Sequence, residues 1–142
     1  MRVARAVICT MVCILAAACT TPEAGRPTLT YSVGGCSEQS ETARAAADNG
    51  EVQIVGQGDT IHVAHKLTYV CCAELVLTTE QEDSTIRLLE KNTGEICRCM
   101  CDYEVEADIT GLNPGVYQVE VWGVEYEDVH IPELLGQATI RL

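Results

Sequence analysis

Between Cys101 and Ile109 the chain alternates without a break. Cys101, Tyr103, Val105, Ala107 and Ile109 are apolar, and Asp102, Glu104, Glu106 and Asp108 between them are all acids. A period of two puts successive side chains on opposite faces of a strand. This segment therefore predicts a strand in a sheet with one buried face and one wet face. Gly111-Leu-Asn-Pro-Gly115 then turns the chain into Tyr117, Val119 and Val121, which alternate with Gln118, Glu120 and Trp122. Tyr103, Val105, Tyr117, Val119 and Val121 are expected inside, and Asp102, Glu104, Glu106 and Glu120 outside.

The rest of the chain from Glu51 onward has the same character. Glu51 to Val55, Thr60 to His65, Leu67 to Thr79, Thr85 to Glu90 and Leu134 to Leu142 are rich in the Val, Ile, Thr and Tyr that strands favour. Gly56-Gln57-Gly58-Asp59, Glu80 to Ser84 and Lys91-Asn92-Thr93-Gly94 separate them as turns. Seven or so short strands with regularly spaced turns predict an all-β protein, a β-sandwich. Phe is absent and Trp occurs once, so its core must come from Val, Ile, Leu, Ala, Tyr and Cys. Ser37 to Gly50 is the one helical candidate, a short helix near residues 38–48 capped by Ser37 or Ser40 and stopped at Asn49-Gly50. A loop fits that stretch almost as well.

At the amino terminus, Arg2 and Arg5 precede an uncharged apolar run from Ala6 to Ala18. As a helix those residues span roughly 20 Å, short of a hydrocarbon core of about 30 Å. Residues 1–18 therefore read as a signal peptide. Ala16-Ala17-Ala18-Cys19 resembles the lipobox of bacterial lipoproteins, with Leu15 one place upstream of its commonest position. The resemblance implies lipidation of Cys19. Residues 19–28, with two prolines and no apolar periodicity, follow as a tether, and 29–142 as the sandwich domain. No Asp follows Cys19. The expected location is thus the bacterial envelope, as an outer-membrane lipoprotein facing the periplasm or the surface.

Gly111 to Val121 resembles the penultimate hairpin of immunoglobulin-like and carboxypeptidase-regulatory-like β-sandwich modules, over about a dozen residues. That likeness implies an architecture and leaves function open. The combination of a histidine, a Cys-Cys pair and a Cys-x-Cys-x-Cys run is also similar to a group of small cysteine-rich bacterial lipoproteins. It implies no activity.

The chain without residues 1–18 carries all 21 acidic residues and seven of the nine basic ones, a formal charge of −14. Such a surface repels phosphate backbones, so nucleic acid is not an expected partner. Six cysteines remain beyond Cys19: Cys36, Cys71, Cys72, Cys97, Cys99 and Cys101. An even number in an exported domain points to disulfides. On an unbroken strand Cys97, Cys99 and Cys101 would all face inward, with neighbouring sulfurs roughly 6 to 7 Å apart, too far for a relaxed bond. Each is therefore expected to pair with Cys36, Cys71 or Cys72. The alternative is a zinc or copper site built from His65, Cys71, Cys72, Cys97, Cys99 and Cys101, since soft thiolates suit those metals. Cys-x-Cys on a straight strand splays ligands apart, which weighs against it. His65 shares the phase of Val63, Leu67 and Tyr69, so a hydrogen-bonded core histidine is the simpler reading.

No nucleophile motif, Cys-x-x-Cys or phosphate-cradling loop is present, so the chain is expected not to be an enzyme. The expected function is a lipid-anchored envelope module with a non-catalytic binding or structural role and no cofactor. Its partners would be the membrane, through the lipid, and an envelope protein or glycan. A metal-binding lipoprotein is the alternative.

Overall fold

The structure, a computed structural model, describes residues 26–35, 51–127 and 131–142. The signal segment, Cys19, Cys36, the helical candidate near 38–48 and His130 lie outside them. The described residues form eight strands: β1 (Thr28–Val33), β2 (Gln53–Gln57), β3 (Thr60–Val70), β4 (Leu75–Glu82), β5 (Thr85–Asn92), β6 (Met100–Thr110), β7 (Val116–Glu125) and β8 (Leu134–Arg141). They make two four-stranded sheets, ordered β1-β6-β3-β2 and β4-β5-β7-β8, so the protein is the all-β sandwich expected.

The alternating segment is the spine of the first sheet. β6 pairs antiparallel with β3 over ten positions, from Ile61 opposite Ile109 to Val70 opposite Met100, and with β1 on its other side. Tyr103, Val105, Ala107 and Ile109 are buried together with Ile61, Val63 and Leu67 of β3. From the second sheet Leu77, Ile86, Leu88, Tyr117, Val119 and Val121 meet them. Glu104 and Glu106 are exposed on the outer face, and Asp102, Asp108 and Glu120 are half-buried. Paired neighbours account for the difference: Thr68 Oγ1 donates to Asp102 at 2.6 Å, His62 Nδ1 lies 2.7 Å from Asp108, and Arg87 Nε donates to Glu120 at 3.4 Å.

Three features go beyond the sequence reading or correct it. β1 opens the sandwich domain as a strand that the sequence pattern did not single out, with Leu29 and Val33 packed on the core. Leu67 to Thr79 is two strands, not one: β3 stops at Val70 in the first sheet, and β4 starts at Leu75 in the second. β5 runs parallel to β7, because the chain leaves the second sheet after β5, builds β6 in the first, and returns. Along one flank β2 and β8 close the sandwich. Gly136 of β8 sits so near the residue preceding β2 that a Cβ there would lie 2.8 Å from that of Val52.

These crossings give the molecule two unlike ends. The chain passes from the first sheet to the second through residues 71–74 and back through 93–99, both at the end of β6 that holds Cys101. Thr28, where the chain joins the sandwich, pairs with Thr110 at the other end.

Candidate functional site

The two crossing segments are locked together. Asn92, buried at the last position of β5, accepts hydrogen bonds through Oδ1 from the backbone N–H groups of Glu74 at 3.1 Å and Gly94 at 2.9 Å. The Thr93 amide and hydroxyl both donate to the Glu74 carbonyl, at 2.9 and 3.1 Å. Gly94 then passes so close to the 71–74 turn that a Cβ would lie 2.7 Å from both the Cys72 carbonyl oxygen and the Glu74 nitrogen. Only glycine clears that backbone. Tyr103 fixes the turn from below: its hydroxyl donates to the Val70 carbonyl at 2.9 Å, and burial pushes its phenol above the ordinary range.

Two disulfides complete the lock. Cys71 bonds Cys99 and Cys72 bonds Cys97, with Cα–Cα distances of 5.5 and 5.9 Å. The Cys71 amide also donates to the Cys99 carbonyl at 3.1 Å. Both bonds join Cys-Cys to the Cys-x-Cys-x-Cys run, the pairing expected for Cys97 and Cys99. The placement of the run itself is corrected. β6 begins at Met100, so Cys97 and Cys99 belong to the crossing loop and not to an inward-facing strand. Cys101 alone of the three is buried in the core, and it too is disulfide-bonded. Cys36 lies outside the described residues.

Leaving the strand frees Cys97 and Cys99 from its spacing. Their sulfurs are 3.4 Å apart, although each is bonded elsewhere. The Sγ atoms of Cys72, Cys97 and Cys99 all lie within 4.8 Å of one another. Cys72 and Cys99 are exposed, and Ile96 and Met100 beside them are about half exposed. Four sulfurs therefore occupy one accessible corner of the sandwich.

His65 does not join them. It lies six positions before Cys71 on β3, roughly 20 Å away along an extended strand. Its Nε2 is 2.6 Å from Glu90 Oε1, and both side chains are sealed from solvent. The six-residue metal set that included His65 is thus not assembled. Glu90 is the residue that sequence reading passed over. It follows Ile86 and Leu88 on the inward phase of β5, so a carboxylate on an apolar face was the available signal. A bulge in the β5–β7 pairing falls between Leu89 and Glu90. Glu90 Oε2 and Asn92 Nδ2, two positions apart on this face, have no hydrogen-bond partner among the described residues.

No family model matches the chain, and neither a curated protein nor a solved structure matches it.

Proposed function

We propose that this chain is a lipid-anchored module of the bacterial cell envelope, a disulfide-cross-linked β-sandwich with a non-catalytic binding or structural role. The pair of disulfides at the crossing end carries the reading, because such bonds persist in oxidising compartments and are rare in the cytosol. The lipobox-like Ala16-Ala17-Ala18-Cys19 supplies the anchor, and several acyl chains at about 0.8 kcal/mol per buried CH₂ would hold the domain durably. The absence of Asp after Cys19 favours the outer membrane. The row Asp102, Glu104, Glu106 and Asp108 on the wet face suits an envelope protein or glycan and repels nucleic acid. Fractionation of cells making the full chain or its Cys19→Ala variant tests this. The wild type should sediment with membranes and the variant should not. A variant that stays with membranes overturns the anchor. Free, alkylatable Cys71, Cys72, Cys97 and Cys99 in protein isolated from the envelope overturn the disulfide role.

A second reading rests on the three mutually close sulfurs of Cys72, Cys97 and Cys99. In the reduced chain they would offer zinc or copper(I) three soft donors, without His65. Anaerobic reduction followed by zinc titration should then give a stoichiometric complex that survives dialysis. Loss of all metal on dialysis overturns it.

A further inference from the structure

Cys71–Cys99 and Cys72–Cys97 are nested, one bond directly inside the loop closed by the other. Once either is made, the second closes almost no additional chain, so it adds little to the entropic stabilisation that a disulfide provides. Stapling accounts for one of the two bonds. The contact between them suggests what the other does. The Cys97 and Cys99 sulfurs, one from each bond, are already 3.4 Å apart in the loop that precedes β6. A disulfide bond needs about 2.05 Å. A sulfur released from either bond thus stands beside a sulfur of the other, where a thiolate can attack.

We propose that the sulfurs of Cys71, Cys72, Cys97 and Cys99 form a single exchange-coupled redox site that oxidises an external dithiol. A thiolate of the dithiol attacks exposed Cys72, forms a mixed disulfide there and releases the Cys97 thiolate. Cys97 attacks Cys99, making a Cys97–Cys99 bond and releasing Cys71, whose thiolate takes up a proton. The second thiol of the dithiol attacks the mixed disulfide, leaves as an oxidised disulfide and returns Cys72 as a thiol. Two electrons and two protons pass from the dithiol to the chain. Among these four cysteines the product holds one bond, Cys97–Cys99, and free thiols at Cys71 and Cys72. This function goes beyond the anchored module and does not depend on the lipid.

The arrangement of cleavage sites makes the test direct. Trypsin cuts after Lys66, Arg87, Lys91, Arg98 and Arg141, so Cys71 and Cys72 share peptide 67–87, Cys97 lies on 92–98, and Cys99 and Cys101 lie on 99–141. The oxidised full chain is treated anaerobically with one equivalent of dithiothreitol, quenched with N-ethylmaleimide and digested. The expected two-thiol species has peptide 67–87 alkylated at both cysteines and 92–98 bridged to 99–141. Peptide 67–87 still bridged to either partner in that species overturns the proposal. Cys71→Ser and Cys72→Ser chains, made without added reductant, give a second measurement. Both should converge on Cys97–Cys99, with the remaining member of the Cys71/Cys72 pair as a free thiol. Retention of the original bond, with Cys99 or Cys97 free instead, overturns it as well. Membrane fractionation has no bearing on either result.

Discussion

His65 Nε2 and Glu90 Oε1 lie 2.6 Å apart in the middle of the core, His65 on the first sheet and Glu90 on the second. This is a polar bond between layers whose shared core is largely aliphatic. Among the described residues the second oxygen, Glu90 Oε2, has no partner, so the carboxylate depends on His65 for compensation. Burial of such a pair costs desolvation that its mutual attraction only partly offsets.

Removing one member should therefore be far worse than removing both. His65→Leu or Glu90→Leu alone leaves an uncompensated buried group and is expected to cost roughly 3–5 kcal/mol. The double variant should recover most of that loss, because leucine suits both sites in volume and polarity. Urea unfolding of the four proteins measures the cycle. Single costs that simply add would show that the pair does not act as a unit.

The nested disulfides predict another departure from additivity. A loop of 25 or 28 residues contributes about 3.5 kcal/mol in the chain-entropy model. Loss of Cys72–Cys97 alone, in a Cys72→Ser/Cys97→Ser chain, should cost far less than that, since Cys71–Cys99 still closes nearly the same loop. Loss of both bonds should cost the full amount. Unfolding midpoints at fixed pH distinguish this from two independent staples, which would each cost about the same.

Tyr103 ties stability to alkaline pH. Its phenol titrates above the ordinary 10.0 in the fold because burial disfavours the phenolate. The unfolded chain releases this proton first as the pH rises, so the contribution is whole below about 10 and is lost as the pH climbs towards the folded value. Tyr103→Phe should cost about 1 kcal/mol at neutral pH through the lost bond to the Val70 carbonyl. It should also make the alkaline fall in stability shallower. An unchanged slope between pH 9 and 11 (both roughly bracketing the free phenol) would contradict the assignment.

Gly94→Ala should damage the crossing end specifically. Its new methyl meets backbone at Cys72 and Glu74, not a flexible side chain, so the turn must move. A loss of roughly 1–3 kcal/mol is expected, as for an overpacked core. Peptide mapping should also show incomplete Cys72–Cys97 pairing. Full pairing with wild-type stability would mean that the two segments are not held against each other.

Legibility in the sequence followed the periodicity. β6 and β7 were readable because nine and six successive residues alternate in polarity, which fixes both strand and face. β1 was not, since Thr28 to Val33 follows the prolines of the tether and leaves Tyr31 substantially exposed at a sheet edge. The break between β3 and β4 carries Cys-Cys-Ala-Glu, with no glycine or proline to mark a turn. It is held by contacts with Asn92 and Thr93, nearly twenty residues on. His65 and Glu90 each stood on an apolar phase and were visible singly as misplaced polar groups. That they meet depends on how the two sheets stack, which strand periodicity does not encode. The same holds for the sulfur corner, whose Cys-x-Cys spacing means one thing on a strand and another on a loop.

The two unlike ends of the sandwich acquire an orientation under the proposed anchor at Cys19. Thr28 and Thr110 share one end and Cys101 marks the other, separated by most of β6, roughly 30 Å. A chain tethered through Cys19 would reach the sandwich at the Thr28 end. The lipid surface would then lie beneath that pole, and the four sulfurs would stand at the membrane-distal tip, where the bilayer does not shield them from soluble reaction partners.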